Sequence, residues 1–255
     1  MSKDISKILR EWEYDGVEVL VRVIHGDDGR EKVQLRVDLG LMQMEMHGRP
    51  DGQRPEGRES WLDYYEERAE GGADDEPFSL SDDDCMKLWR EAVQYYHRYL
   101  SFWHLALYDL CARDTERNMR LFDFVRDFAD SPRAREQFDQ FRPYVLMMHA
   151  RAVATPMVEK HQFSQAIEVI DNAITDVRHV LDAAGKSDQP DECAELQTLE
   201  RWREEVLAEA DKTPDGESAM KLANLLRRLK EAVSLEEFEE AARLRDEIRH
   251  IQEKP

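Results

Sequence analysis

The feature that most constrains the fold of this chain is a helical spacing of apolar residues over residues 81–210. Within that range apolar side chains recur three or four positions apart, the period of an α-helix that buries one face. At Ser131 a serine is followed by proline, which predicts the start of a helix. Helices of this kind bury their apolar faces against one another. The sequence therefore predicts a mainly α fold, arranged as a helical array or bundle.

The first 70 residues follow a different pattern, which predicts a small antiparallel β unit. Valines alternate with other residues over 17–23, and the alternation resumes over 33–39 after a turn rich in glycine and aspartate. The apolar parity changes after Gly40, as a bulge or a sharp bend would produce, and alternating methionines continue to Met46. Because two or three strands are not stable alone, we expect this sheet to pack on helices.

The first helix of the array is predicted from its cap. Ser81 and Asp84 have the spacing of a capping box, and the helix is expected to run to about Ala112, with a second starting near Thr115. Further helices are expected over about 143–159, 164–183 and 190–210. The inward-facing side chains expected on the first helix are Leu88, Val93, Tyr96, Leu100, Trp103, Leu107 and Leu110.

Changes in composition divide the chain into five predicted segments. Acids dominate from Glu66 to Asp84, as in a solvated linker, and a second break containing proline and glycine precedes Ser218. The predicted segments are a small α+β unit with a β-hairpin at 1–70, an acidic linker at 71–80, a helical array at 81–210, a second linker at 211–218, and a helical hairpin at 219–253.

Charge and cysteine content narrow the classes of function. The net charge is −20, from 36 basic and 56 acidic residues, and phosphate backbones and anionic membranes repel such a chain. Its three cysteines are scattered, which indicates reduced thiols. The longest apolar stretch is far shorter than the roughly 20 residues that span a bilayer. We therefore expect a cytoplasmic protein with protein partners, without direct nucleic-acid binding and without a membrane contact.

No motif in the sequence identifies an enzyme. A nucleophile elbow, HExxH, a paired CxxC and a dinucleotide fingerprint are all absent. His97 and His104 lie seven positions apart on one predicted helix, which fits core or boundary positions better than shared metal coordination. We expect no catalytic residues, no metal site and no cofactor. Arg49, Arg54 and Arg58 share a loop rich in glycine and proline, which is either an anion or partner site or a plain solvated loop.

The C-terminal region predicts two helices joined by a tight turn, with Ser234 and Glu237 as the capping box of the second helix. Ordering about 35 residues costs on the order of 50 kcal/mol, which needs roughly 2,000 Å² of apolar burial to offset. Two short helices that touch along one seam do not hide that much surface. The rest of the chain, a second copy or a different protein must cover it. The expected seam consists of Leu222, Leu226, Leu229 and Val233 on the first helix and Phe238, Ala241, Leu244, Ile248 and Ile251 on the second.

The stretch LLRRLKEAVSLEEFEEAARLRDEIR, residues 225–249, resembles the UVR motif. This helical hairpin is shared by the excision-repair proteins UvrB and UvrC and by McsA-type adaptors of bacterial proteolysis. The resemblance covers about residues 219–253 and implies a protein–protein contact, usually hairpin against hairpin, and a bacterial source. The partner-binding residues that it implies are Leu226, Leu229, Val233, Phe238, Ala241, Ala242, Leu244, Arg245 and Ile248.

Residues 150–175 resemble a tetratricopeptide repeat. Ala154 stands in the small position of the first helix, while Met157 replaces the usual tyrosine and no proline closes the unit at Arg178. An ordinary helical bundle is the alternative for this region. The positions that match the second helix of the repeat are Phe163, Ala166, Ile170 and Ala173.

Taken together, these patterns predict a non-enzymatic adaptor that binds a partner or self-associates through its C-terminal hairpin. The partner would be another protein with a UVR motif or a second copy of this chain. Two alternatives remain: an accessory factor of nucleotide excision repair recruited through UvrB or UvrC, and an McsA-like regulator of protein quality control. The chain lacks the GxxxxGK[ST] loop of UvrB and the cysteine-rich zinc modules of McsA. The motif thus implies a binding mode and no chemistry.

Overall fold

The chain is mainly α with one small antiparallel sheet near its N-terminus, as the sequence predicts. It divides into two compact units, Met1–His149 and Ala150–Pro255. This division differs from the five predicted segments, which stay a prediction. No helix in the described part is long and apolar enough to cross a bilayer. The computed structural model describes residues 4–71, 77–186 and 192–212, then residues 221, 224–225, 228–229, 232–233 and 237–252.

The N-terminal unit contains a three-stranded sheet in the order β1 (Val21–His25), β2 (Glu31–Val37) and β3 (Gly40–Glu45), which confirms the predicted β-hairpin and its third strand. β2 and β3 are joined by a two-residue turn, because Val37 pairs with Gly40. Across this turn Leu35 faces Met42, so odd positions on β2 share a sheet face with even positions on β3. The tight turn therefore produces the parity change that the sequence displays at Gly40.

The two faces of the sheet differ in chemistry. On one face Val33, Leu35 and Met44 are buried, and β2 packs there against helix α3 (Asp82–His104). On the other face Gln34 accepts a hydrogen bond from Arg22 at 2.8 Å and donates one to the neighbouring Gln43 at 2.9 Å. The sheet is thus stabilised by apolar burial on one side and by a polar ladder on the other.

Two helices of the N-terminal unit begin where their caps predict, whereas the helix predicted to start near Thr115 begins at Tyr108. Ser81 and Asp84 form both hydrogen bonds of the capping box at the start of α3. α5 begins at Pro132, directly after Ser131. The helices other than α3 are α1 (Ser6–Glu11), α2 (Trp61–Gly71), α4 (Tyr108–Phe128), α5 (Pro132–Asp139) and α6 (Arg142–Glu159), of which α6 crosses into the second unit.

The end of α3 differs from the prediction, which carried this helix on to about Ala112. It ends at His104, and Ala106 takes a left-handed φ of 55°. The amide of Ala106 donates to Trp103 O at 3.0 Å and that of Leu107 donates to Phe102 O at 2.9 Å. These are the two bonds of a Schellman motif, which usually carries glycine at its left-handed position. This chain has alanine there, so its sequence does not signal the end of the helix.

The buried face of α3 also differs from the prediction. Leu88 is buried as expected, but Val93, Tyr96, Leu100 and Trp103 are only partly buried. The helix is rotated by about one residue relative to the predicted orientation. Its buried face carries Cys85, Leu88, Glu91, Ala92, Tyr95, Arg98, Tyr99, Ser101 and Phe102.

In the second unit, α7 (Phe163–Ala183) packs against α8 (Ala194–Ala210). Arg178 Nη2 lies 2.7 Å from Glu200 Oε1, and Arg203 forms a two-pronged ion pair with Asp171. The tetratricopeptide resemblance stays a prediction; all five of its matching positions are buried, namely Ala154, Phe163, Ala166, Ile170 and Ala173. The last helix is α9 (Phe238–Gln252), and the described residues between 221 and 233 are helical as well.

Candidate interaction surface

The C-terminal hairpin, residues 221–252, has a register fixed by two ion pairs between its helices. Lys221 Nζ lies 3.6 Å from Glu247 Oε1, and Arg228 Nη2 lies 2.8 Å from Glu240 Oε1. Between the two pairs the first helix advances by seven residues while α9 goes back by seven. Only two antiparallel helices give that relation, so this region forms the predicted αα-hairpin.

The seam of the C-terminal hairpin is made of small and branched apolar side chains. Leu225, Ala232, Ala241, Leu244 and Ile248 are buried together, with Leu229 packed against them. The predicted seam on the first helix is therefore wrong by one position at its end, because Ala232 is buried and Val233 is not. Alanine at this position lets the two helices approach closely. The predicted seam residues Leu222 and Leu226 lie outside the described residues, as does the side chain of Ile251.

Two large apolar side chains of the C-terminal hairpin face solvent beside its turn. Phe238 is 70% exposed and Val233 is 54% exposed, although the sequence pattern predicts both in the seam. The backbone amide of Glu237 donates to Ala232 O at 2.8 Å, and this hydrogen bond connects the end of the first helix to the start of α9. The predicted cap residue Ser234 lies outside the described residues. The sequence could not separate these side chains from the seam, because both have the correct helical spacing.

The partner-binding residues implied by the resemblance thus separate into two groups. Ala241, Leu244 and Ile248 fill the seam, with Leu229 and Ala242 partly buried. Val233, Phe238 and Arg245 are exposed. Residues of the first group hold the C-terminal hairpin together, and those of the second group are accessible to another protein.

The surface around Phe238 carries charge of both signs. Glu237, Glu239, Glu240 and Arg243 line a shallow depression together with this ring. Glu240 accepts hydrogen bonds from Arg243 Nη2 at 3.0 Å and from Arg228. The first turn of α9 therefore presents an aromatic side chain with an acidic rim, a combination that gives both apolar contact and charge selectivity.

The arginine loop does not gather into one site. The Arg49 side chain is buried with Nε 3.1 Å from Glu91 Oε2, whereas Arg54 lies exposed 3.4 Å from Glu59. Arg58 is also exposed and pairs with Glu67. Each of these three guanidinium groups already forms an ion pair with a carboxylate of this chain. The anion-site interpretation stays a prediction, with no shared position for an anion among these three side chains.

Glu91 fills the position that an anion would otherwise take. Its carboxylate accepts the backbone amides of Trp61 at 2.9 Å and Leu62 at 3.2 Å, at the N-terminus of α2. Arg49 and Arg117 pair with the same carboxylate. A helix N-terminus flanked by two arginines favours a negative charge, and the chain supplies that charge from α3.

A second buried ion pair connects the helices with the loop after β3. Arg98 Nε lies 2.6 Å from Asp114 Oδ2, and its Nη2 lies 3.0 Å from Oδ1. Both side chains are almost fully buried. The remaining Nη1 donates to the carbonyl oxygens of Glu45 and Gly48, both at 2.8 Å. Sequence reasoning missed this network, because its members lie on α3, on α4 and in a loop and share no spacing.

Burial shifts the pKa values of two cysteines and two histidines of the N-terminal unit. Burial raises the pKa of Cys85 to about 11 and that of Cys111 to about 12, so both stay protonated thiols at neutral pH. Burial lowers the pKa of His97 and of His104. Within the described ranges, no three His, Cys, Asp or Glu side chains are grouped as metal ligands would be.

His149 gives the N-terminal unit a predicted dependence on pH. Burial lowers the pKa of this histidine below its value in the unfolded chain, and Nδ1 lies 3.0 Å from Thr115 Oγ1. The unfolded state therefore binds its proton first, and stability present near neutral pH is lost as the pH falls through the folded-state pKa. We expect His149→Gln to flatten the decline in unfolding free energy between about pH 7 and pH 5.

Urea unfolding monitored by tryptophan fluorescence at several pH values measures this slope. The control is His25→Gln, which changes an exposed histidine on β1. An unchanged slope in His149→Gln would show that other groups set the acid sensitivity.

A protein-family model described as the UvrB/uvrC motif matches residues 221–254. No curated protein and no solved structure matches the chain. The match covers the C-terminal hairpin and confirms the UVR resemblance on which the sequence prediction rests. The UVR motif mediates protein interactions, and residues 221–254 are the part of this chain that matches it.

Proposed function

We propose that this chain is a non-enzymatic cytoplasmic adaptor that holds a protein partner through its C-terminal UVR hairpin. The observation that carries the proposal is the 70% exposure of Phe238 in a hairpin whose seam is filled by other residues. A phenyl ring left in water beside a formed seam has apolar area to lose on binding. Aromatic side chains of this kind commonly dominate the energy of an interface.

Charge around the ring favours selection among partners. Glu237 and Glu239 are exposed beside Phe238, while Arg228 and Arg243 both pair with Glu240. A partner that places an apolar side chain on the ring and basic groups on the rim would match both features. The net charge of −20 opposes direct binding to nucleic acid, so any role on DNA would pass through a protein partner.

The class of partner follows from the motif. Another protein with a UVR motif, or a second copy of this chain, is the partner that the motif favours. Recruitment to nucleotide excision repair through UvrB or UvrC is one process that would use such a contact. An McsA-like role in protein quality control is the other. The identity of the proteins captured by the C-terminal hairpin decides between these two processes.

We expect Phe238→Asp in the full-length chain to reduce partner capture at least about ten-fold, because it replaces an apolar anchor with a carboxylate that binding would desolvate. The measurement is affinity capture from a nuclease-treated lysate of the source organism, with bound proteins quantified by mass spectrometry. The matched control is Leu39→Asp, which adds the same charge at a 93% exposed position in the β2–β3 turn.

Proteins retained by the control and lost from Phe238→Asp would be partners of the C-terminal hairpin. Far-UV circular dichroism of both variants checks that the helices are intact. Equal recovery of every captured protein by Phe238→Asp and by the unchanged chain would refute the proposed role of this surface.

A further inference from the structure

Large apolar side chains are exposed at two places in the helical part of the chain. Among the described residues after β3, these side chains are Met86 and Phe141 in the N-terminal unit and Val233 and Phe238 on the C-terminal hairpin. Met86 is 45% exposed and Phe141 is 43% exposed. The hairpin pair belongs to the surface that the proposed function assigns to a protein partner. The pair in the N-terminal unit offers apolar area of the kind that such a partner needs.

Met86, Trp89 and Phe141 form one apolar surface, the α3 platform. The rings of Trp89 and Phe141 have centroids 5.2 Å apart, and Trp89 also packs edge-on against the buried ring of Phe138 at 5.4 Å. Met86 precedes Trp89 by three positions on α3, so the two side chains are neighbours on the helix surface. The amide of Phe141 donates to Phe138 O at 3.1 Å, and its carbonyl accepts from Val145 N at 3.2 Å. Because the platform is held in place from below, little ordering is needed when a partner binds.

Charges of opposite sign flank the α3 platform along the helix. Asp82 lies one turn before Met86 and Arg90 lies one turn after it, at the spacing of four that places all three on one face. All three side chains are exposed, and neither Asp82 nor Arg90 has an ion-pair partner among the described residues. Asp83 adds a second exposed carboxylate at the same end. From its N-terminal to its C-terminal end, this face therefore reads acidic, apolar and basic.

The exposed side of α9 has the same order of charge. Phe238, Ala242 and Arg245 follow one another at spacings of four and three, and this row is the α9 stripe. Glu237 lies directly before the stripe, and Ala242 is small enough to let a second helix approach closely. Glu237 and Arg245 are exposed, and the described part of the chain supplies no ion-pair partner for either. Two helix faces with the same order of charge attract each other when the helices run antiparallel.

We propose that the α9 stripe of one copy docks antiparallel onto the α3 platform of a second copy. With Phe238 beside Met86, Glu237 lies toward Arg90 of the second copy. Arg245 lies about 10 Å along α9 from Phe238, and Asp82 lies about 6 Å along α3 from Met86, a difference that an arginine side chain spans. A parallel arrangement would bring like charges together at both ends.

This inference rests on the proposed function and names a second copy of the chain as the partner. The contact joins two different surfaces, and every copy carries both of them. Each copy can therefore act as the donor of an α9 stripe and as the acceptor through its α3 platform. This property distinguishes the contact from one in which two C-terminal hairpins pair with each other.

Sedimentation equilibrium of the full-length chain tests the self-association. We expect the measured mass to rise with concentration above 30.0 kDa, toward at least twice that value. Met86→Asp and Phe238→Asp should each weaken the association at least about ten-fold, because each places a carboxylate in the apolar contact. Leu39→Asp is the control and should associate normally. A mass that stays at 30.0 kDa throughout the micromolar range would overturn the inference.

Mixing the two weakened variants tests whether the surfaces are different. Met86→Asp keeps an unchanged α9 stripe and Phe238→Asp keeps an unchanged α3 platform, so the mixture should form a complex of twice the monomer mass. Normal self-association of Met86→Asp would overturn the inference but leave the proposed function standing, because the hairpins would then pair with each other. The proposed function itself fails only if Phe238→Asp captures every partner as well as the unchanged chain does.

A charge exchange tests the antiparallel orientation. Arg90→Glu should weaken self-association about three-fold, because it places two carboxylates opposite each other at an exposed position. Adding Glu237→Arg should restore the association by reversing the pair. A double variant that associates more weakly than Arg90→Glu alone would contradict the antiparallel arrangement.

Discussion

Replacing Arg98 with methionine is expected to lower the unfolding free energy of the N-terminal unit by about 3–5 kcal/mol. The substitution leaves Asp114 as a carboxylate that is 1% exposed and has lost its two-pronged partner. It also removes the donors to Glu45 O and Gly48 O, which hold the loop after β3 against α3. Methionine keeps most of the volume, so the loss reports charge and hydrogen bonding and not a cavity. Urea unfolding followed by tryptophan fluorescence measures it.

A double-mutant cycle separates the penalty of the orphaned charge from the value of the pair. Arg98→Met with Asp114→Leu should recover a large part of the lost stability, because a buried pair replaced by apolar side chains is often nearly neutral. Arg113→Met is the matched control, since this more exposed arginine also contacts Asp114. We expect it to cost no more than about 1 kcal/mol. If the double variant were as unstable as Arg98→Met, the lost hydrogen bonds to Glu45 O and Gly48 O would account for most of the destabilisation.

The same buried charges explain why the orientation of α3 could not be predicted from the sequence. Two apolar stripes run along this helix, one through Tyr95 and Tyr99 and the other through Tyr96 and Leu100. The first stripe also contains Glu91 and Arg98, and a pattern-based interpretation places charges in solvent. The partners of Glu91 and Arg98 lie on α2, on α4 and in loops. The pattern of a single helix carries no information about these partners. The pattern therefore predicts that the second stripe is buried, although the structure buries the first.

The sequence predicts the starts of α3 and α5 from their caps and also the ends of α6, α7 and α8, but it misplaces the end of α3. The Ser81 capping box and the Ser131–Pro132 start both lie where the sequence predicts them. α6 ends like α3, with a left-handed His161, Gln162 N donating to Met157 O at 2.8 Å, and His161 N donating to Val158 O at 2.9 Å. Neither helix has glycine at its left-handed position, and the sequence predicts the end of α6 but not that of α3.

The sequence locates the candidate interaction surface to within one helical turn. It does not identify which side chains of that surface are accessible. The capping and seam patterns predict the C-terminal hairpin. The match to the UvrB/uvrC motif confirms the UVR resemblance of this segment. Adjacent pairs such as Leu225 and Leu226, or Ala232 and Val233, leave the rotation of the first helix ambiguous by about 100°. The larger residue of the second pair was expected inside. Ala232 is buried instead, and Val233 joins Phe238 on the surface.

Leu244→Ala is expected to unfold the C-terminal hairpin while leaving the N-terminal unit intact. Leu244 is 1% exposed and packs with the other described apolar side chains of the seam, and removing a buried leucine side chain costs about 2–5 kcal/mol. Two short helices bury little apolar surface between them, so the loss should exceed what holds them together. Hydrogen exchange within α9 measures the effect, and its amides should lose protection while those of α3 keep theirs. The matched control is the exposed neighbour Arg245→Ala, expected to change stability by no more than about 0.5 kcal/mol.

Comparing Leu244→Ala with Phe238→Asp separates the seam from the surface of the C-terminal hairpin. Both variants should lose partner capture, but only Leu244→Ala should lose amide protection in α9, because Phe238 lies outside the seam. If Leu244→Ala kept its protection, other packing would stabilise α9 and the seam would not be its main support. If both variants lost protection, Phe238 would be part of the folded core, and its exposure would no longer indicate a surface for another protein.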